Sequence, residues 1–236
     1  MNNNVLAITK LHLQNLNNAY LITAIATAAF SSQYVINIIV TMAGDDISGN
    51  HGLSGGWALW LLIVLAAIIV PTRHFSRIVN IGGKREHYFW GSLFTYAALA
   101  CFVSLIGIVF YYALDIALVK NSGNLGDTIS VPEIFGWSAH GPIVAFFQQF
   151  AFLFLLATFT HTLAAAQGKW YGWTANIALI AIISVFTPIT PLRNAEVWFF
   201  NLILFHPTAL LQIAVCLFLA LAIYFLSKPI LARKTV

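Results

Sequence analysis

Long apolar runs dominate the sequence and decide the fold class. A helix needs about 20 consecutive apolar residues to cross a bilayer, and such runs cover residues 18–42, 56–70, 89–114, 141–165, 173–189 and 208–226. Only 8% of the residues are charged, against about 25% in soluble domains. We therefore predict an all-α membrane protein in which residues 1–236 form a single transmembrane domain of six transmembrane helices.

Two further apolar segments are too short to cross a membrane. Residues 1–16 alternate leucine, isoleucine and valine with Lys10, His12 and Gln14, which is typical of an interfacial N-terminal helix. Residues 194–206, NAEVWFFNLILFH, precede the last span and predict a re-entrant or interfacial helix. Pro71 is expected to end the second span, and Asp115 is expected in a polar loop after the third.

The distribution of basic residues predicts the orientation of the chain. In a six-span arrangement, one side keeps only Lys120 and Arg193. The other side collects Lys10, Arg73, Arg77, Lys84, Arg85, Lys169, Lys228, Arg233 and Lys234. Because basic residues concentrate in cytoplasmic loops, both termini and the 71–88 loop are predicted to be cytoplasmic. Most acidic residues, including Asp45 and Asp46, fall on the opposite side. The net charge of +4 is topology information, and no nucleic-acid partner is predicted.

Several kinds of chemistry are missing from the sequence. No G-x-x-x-x-G-K-[ST] motif is present, so the chain has no phosphate-binding loop of that kind. The predicted span interiors hold no lysine, arginine or carboxylate near the bilayer centre, which counts against ion-coupled transport. No metal site is predicted, because His140 and His161 flank the fourth span about 30 Å apart. His51, His140 and His206 share the predicted outer side without a recognisable ligand spacing.

Four amide side chains lie in the predicted outer half of the spans: Gln33, Asn37, Gln148 and Gln149. Amides in transmembrane helices commonly form interhelical hydrogen bonds. The alternative is that they form a polar patch lining a translocation path for an amphipathic substrate. The sequence leaves both interpretations open.

The basic segment FSRIVNIGGKREHYFWG, residues 75–91, carries the most specific pattern in the chain. Apolar residues alternate with Arg77 and Asn80 before the Gly82-Gly83 pair, which predicts a short amphipathic helix followed by a turn. Aromatic residues at the interface level would then open the third span. Such a segment would present a compact cytoplasmic surface to another protein.

This segment resembles the permease subunits of type-2 ABC exporters from Gram-positive bacteria. In these proteins the second and third spans are joined by a phenylalanine, an apolar run, a glycine, a basic pair, aromatic residues and another glycine. The matching residues here are Phe75, Gly83, Lys84, Arg85, Tyr88, Phe89 and Gly91. Gly168, Lys169 and Trp170 match the link between spans four and five. Glu86 and His87 after the basic pair depart from the family pattern.

The resemblance implies a permease that pairs with a second, identical or homologous permease and with separate ABC ATPase subunits. The 71–88 segment would be the coupling helix that contacts the ATPase through Arg73, Phe75, Arg77, Asn80, Gly83, Lys84, Arg85 and Glu86. This chain would bind no cofactor, and ATP and Mg²⁺ would be bound by the ATPase. Its surroundings would be the lipid of a bacterial cell membrane, and its cargo a peptide, an antibiotic or another amphipathic molecule.

Two other functions remain open on the sequence. One is a membrane enzyme or assembly factor that depends on the outer histidines, and the other is a non-transporting immunity or sensor protein that sequesters a peptide. The first would lose activity when His51, His140 or His206 is changed. The second would need no ATPase and would tolerate charge reversal at Lys84 and Arg85.

Overall fold

Helices make up 86% of the protein, which confirms the all-α class. The computed structural model describes residues 3–43, 51–120, 127–167 and 169–234, so Asp45, Asp46 and Gly168 lie outside the described residues. Two three-residue strands, β1 (His51–Leu53) and β2 (Asp127–Ile129), pair in parallel between helices. The sequence analysis did not predict this small sheet, because three-residue strands leave no periodic pattern.

Within the described residues, five helical segments are long and apolar enough to cross a membrane, and they agree with five of the predicted spans. They are Asn17–Val40, Gly55–Asn80, Arg85–Ile116, Pro142–Ala166 and Ala209–Ala232. The first lies in α2 (Asn17–Met42), and the last two are α7 (Pro142–Ala166) and α10 (Ala209–Ala232). A sixth span exists only if α8 (Trp170–Phe186) and α9 (Thr190–Ile203), which meet at an angle of 115°, are counted as one bent span.

The helix of the second span continues beyond Pro71, where the sequence predicted its end. Helix α3 (Trp60–Ile69) passes through a π-helical turn (Val70–His74) directly into α4 (Phe75–Asn80). A π-turn accommodates proline inside a helix because it relaxes the regular hydrogen-bond ladder. The predicted 71–88 loop therefore consists of an extension of the second span, a turn at residues 81–84 and the start of α5 (Arg85–Val109).

A glycine-dependent cap ends this extended helix. The N–H of Gly83 donates to the carbonyl of Ile78 at 2.9 Å, and that of Gly82 donates to Val79 at 3.0 Å. This bond pair is a Schellman motif, which requires a left-handed residue after the helix. Gly82 supplies it with φ = +83°. The second and third spans are thus joined by a tight hairpin.

Helix α5 continues as a π-helical segment (Phe110–Lys120), and this corrects the prediction for Asp115. Asp115 is completely buried instead of lying in a polar loop. Its Oδ1 accepts a 2.5 Å hydrogen bond from the hydroxyl of Tyr34 in α2. The sequence pattern missed this because a carboxylate at the end of an apolar run looks the same whether it is solvated or paired.

The remaining helices pack around α7, which contacts α3, α5 and α10. The N-terminal helix α1 (Asn3–Gln14) packs against α5, and His12 and Leu16 are completely buried there. Helices α8 and α9 lie at the edge of the bundle, where Gly172 and Ile203 are their buried residues.

Candidate functional site

The basic hairpin, defined here as residues 75–85, separates the predicted coupling residues into two groups. The side chains of Arg73, Arg77, Asn80, Lys84 and Glu86 are exposed, and Gly83 is half-buried. Ile81 at the tip of the turn is 74% exposed. Phe75, in contrast, is 1% exposed and packs inside the bundle. The exposed group can contact another protein, whereas Phe75 cannot do so in this conformation.

Arg85 belongs to a contact within the chain. Its guanidinium donates to the carbonyls of Leu231 and Lys234 at 3.1 and 3.2 Å, and also to that of Ala232. The ammonium of Lys234 in turn donates to the carbonyl of Pro71 at 2.8 Å. Burial lowers the pKa of Lys234. The C-terminal end of α10 is therefore attached to the base of the hairpin.

A pair of buried histidines lies behind the hairpin. His12 of α1 and His74 of the π-turn are 0% and 4% exposed, and their Nδ1 atoms are 3.0 Å apart. The ring of Tyr88 packs edge-on against His12, with the ring centroids 5.4 Å apart. Burial first, and then the neighbouring His74, lowers the pKa of His12 to about 3. His12 is therefore neutral near pH 7, and the pair joins the N-terminal helix to the second span.

A second buried cluster joins α5, α7 and α10. The hydroxyl of Tyr96 lies 2.6 Å from His161 Nδ1, and the hydroxyl of Tyr224 donates to the carbonyl of Phe89 at 2.5 Å. The rings of His161 and Tyr224 are 5.2 Å apart. All three side chains are at most 1% exposed. Their hydrogen bonds fix the relative positions of three spans in an apolar interior.

This cluster was not predicted, although the sequence contains a signal for it. Tyr88, Ser92 and Tyr96 are spaced four residues apart and therefore lie on one face of α5. Ser92 donates to the carbonyl of Tyr88 at 2.8 Å and is itself completely buried. A polar stripe on an otherwise apolar helix marks a face turned toward other helices. His161, predicted near the end of its span, lies near the end of α7 and is completely buried.

The contacts of the four predicted amides differ from one another. Gln33 donates to the carbonyl of Leu53 at 2.7 Å, near β1. Gln148 donates to Gln212 Oε1 at 2.6 Å and so faces α10. Gln149 packs against Gly107 of α5, and Asn37 is half-buried in α2. For Gln148 the structure favours interhelical hydrogen bonding. A translocation path along all four amides stays a prediction.

Gln149 and Asp115 share a narrow cleft at the end of the bundle opposite the hairpin. The cleft is lined by Ser54, Gly56, Gly107, Tyr111, Asp115, Val131, Pro132 and Gln149. The space between these side chains is too small for a ligand in this conformation. It can therefore serve a translocation path only if the helices that line it move apart.

The outer histidines contact backbone atoms. His140 Nε2 lies 3.1 Å from the carbonyl of Pro207, and His206 Nδ1 accepts a 3.0 Å hydrogen bond from the N–H of Thr208. The side chain of His51 lies outside the described residues. Within residues 3–43, 51–120, 127–167 and 169–234, no three His, Cys, Asp or Glu side chains come together as metal ligands.

The chain matches no protein-family model, and no curated protein or solved structure matches it either. Its function has to be inferred from its own residues and contacts.

Proposed function

We propose that this chain is the permease subunit of an ATP-driven exporter of the type-2 ABC kind, in a bacterial cell membrane with both termini cytoplasmic. The observation that carries the proposal is the basic hairpin between the second and third spanning helices. The chain would provide half of a translocation path for a peptide, an antibiotic or another amphipathic molecule. ATP and Mg²⁺ would be bound and hydrolysed by separate ATPase subunits.

The exposed residues of the hairpin support a protein contact there. Arg73 and Arg77 are spaced one helical turn apart, and Lys84 follows on the other side of the turn. Exposed isoleucine at the tip, with cations on both flanks, fits a partner groove with an apolar floor and an acidic rim. The Schellman cap keeps the tip compact, so little ordering entropy is lost when a partner binds.

The least buried spans support a second permease subunit. Only 11% of the first span's apolar window is buried, against 56% for the span Gly55–Asn80. In α8 the buried residue is Gly172. The exposed face of this helix includes Trp173, Ile177 and Ile180. Lipid can cover such faces, but two weakly packed spans in one chain also leave a large area for a second copy or a homologous chain.

Affinity purification in a mild detergent tests the partner prediction. The tagged chain is expected to capture an ABC ATPase from its native membranes, and the variant Arg77→Glu/Lys84→Glu to lose it. The matched control Lys10→Glu makes the same kind of charge reversal on an exposed residue of α1, and it is expected to keep the ATPase.

Two results would contradict the proposal. Absence of any ATPase in several detergents would favour a non-transporting immunity or sensor protein. Loss of activity on changing His140 or His206, without any ATPase, would favour a histidine-dependent membrane enzyme.

A further inference from the structure

Arg85, the first residue of α5, caps the C-terminal end of a different helix. Its guanidinium donates to the carbonyls of Leu231, Ala232 and Lys234. The last carbonyls of a helix have no partner within the helix, and a cation near them is favoured by the helix dipole. Arg85 satisfies these groups from outside α10, so the start of the third span and the end of the last span are held together.

Lys234 makes the reciprocal contact. It lies just beyond α10, and its ammonium donates to the carbonyl of Pro71 at 2.8 Å. Pro71 belongs to the π-turn that carries the second span into the hairpin. The backbone at residues 231–234 is therefore bound to one arm of the hairpin through Arg85 and to the other arm through Lys234.

The buried ring of Phe75 lies close to both cations. Arg85 Cζ is 5.9 Å from the ring centroid, and Lys234 Nζ is 5.6 Å from it. At these distances a cation is attracted to the face of an aromatic ring. Tyr88 packs edge-on against the same ring at 5.1 Å. Three chain segments thus meet at Phe75.

We infer that Arg85, Lys234 and Phe75 form a C-terminal clamp that fixes the hairpin to α10. The exposed residues Arg77 and Lys84 remain free of the clamp and face outward. The functional consequence of the clamp rests on the proposed function. A partner that pushes on the hairpin would move the last span together with the second and third. Phe75 and Arg85 are then positioning residues, and neither is a contact with the ATPase.

Amide hydrogen exchange of the purified full-length chain in detergent tests the clamp without any partner. Arg85→Gln and Lys234→Gln are each expected to raise exchange about tenfold both in residues 75–84 and in the last turn of α10, because loss of a charge-assisted hydrogen bond promotes local opening. The matched controls are their sequence neighbours Lys84→Gln and Arg233→Gln, which remove the same charge from exposed side chains. The controls are expected to leave both regions unchanged.

Three outcomes would overturn the inference. Faster exchange in α10 alone would mean that Arg85 is only a helix cap. Equal effects of all four variants would mean that the loss of positive charge alone changes the exchange. No effect in any variant would mean that the contacts do not stabilise the hairpin or the end of α10. Arg85→Lys, which keeps the charge but not the planar fork, is expected to give an intermediate effect and guards against misfolding of the glutamine variant.

The clamp and the proposed function fail separately. If the exchange result holds but no ATPase is captured, the clamp stands and the exporter proposal does not. If an ATPase is captured, Arg85→Gln is expected to retain it, whereas Arg77→Glu/Lys84→Glu loses it. Loss of the ATPase from Arg85→Gln, with exchange unchanged, would assign Arg85 to the partner contact and overturn the clamp.

Discussion

The imidazole rings of His12 and His74 stack in parallel, with their planes inclined by only 5° and their Nδ1 atoms 3.0 Å apart. One Nδ1 must donate and the other must accept. If both rings became imidazolium, both Nδ1 atoms would carry a proton and the hydrogen bond would break. Tyr88 packs on His12, and Arg73 and Arg77 lie close enough to His74 to act on it electrostatically. Protonation of the pair would thus add a charge to a buried site that already faces two cations.

Acidification is expected to weaken the docking of α1. The pKa of His12 is lowered from 6.5 to about 3 in the folded chain. Below pH 6.5 the undocked helix therefore binds more protons than the docked helix, and the docked state becomes less stable as the pH decreases. Between about pH 7.5 and 5.5 the loss that comes from His12 is about 1.4 kcal/mol, or tenfold in the undocked fraction. Amide exchange of residues 3–14, corrected for intrinsic rates, measures it. His12→Leu is expected to remove this contribution and His87→Gln to keep it; an identical pH response in all three chains would contradict the prediction.

Substitution at Gly91 tests the docking of α1 on α5 sterically. A Cβ there would lie 2.6 Å from Ile8 Cγ2 and 3.0 Å from Ile8 Cβ. Ile8 is β-branched and cannot easily turn away, so Gly91→Ala is expected to cost about 1–3 kcal/mol of stability. Thermal unfolding in detergent measures the loss. Gly56→Ala is the control, because its new Cβ meets nothing closer than 3.5 Å. The double variant Ile8→Ala/Gly91→Ala is expected to recover part of the loss, and no recovery would mean that the clash lies elsewhere.

The spans could be predicted because lipid imposes a length on any helix that crosses it. The sequence could not show that the helix continues through Pro71, since proline usually ends or kinks a helix and the π-turn that accommodates it leaves no sequence pattern. Asp115 was misassigned for a similar reason: whether a carboxylate is solvated depends on Tyr34, which is distant in sequence.

The residues of the hairpin could be found from composition, but their division into two roles could not. Phe75 and Arg85 fit the family pattern as well as Arg77 and Lys84 do, and only the position of residues 231–234 separates them. The amides show the same limit. Gln148 and Gln149 are adjacent in sequence, yet one faces α10 and the other faces α5.

The tip of the hairpin is expected to depend on the backbone of Gly82. Its φ of +83° costs a residue with a Cβ about 1–2 kcal/mol, although asparagine tolerates this region better than alanine does. Gly82→Ala is therefore expected to lower the unfolding temperature more than Gly82→Asn. A Cβ at Gly82 would have no heavy atom within 4 Å, so the two variants differ in backbone preference and not in packing. Equal effects would mean that the tip adopts another conformation in solution.

The buried amide pair is expected to behave as one unit. Gln148 donates to Gln212 Oε1 at 2.6 Å, and Gln212 Nε2 donates to the carbonyl of Ile203 at 3.0 Å. Gln148→Leu leaves Gln212 Oε1 buried without that donor, which is expected to cost about 1–3 kcal/mol.

Replacing both residues by leucine is expected to cost less than the sum, with a coupling energy of about 0.6–1.7 kcal/mol. Unfolding of the two single variants and the double variant gives the coupling energy directly. Gln149→Leu combined with Gln212→Leu is the matched cycle, and its two effects are expected to add within about 0.5 kcal/mol, because Gln149 packs against Gly107 of α5 whereas Gln212 bonds to Gln148 and Ile203. Strict additivity in the first cycle would show that the amides are held by their surroundings and not by each other.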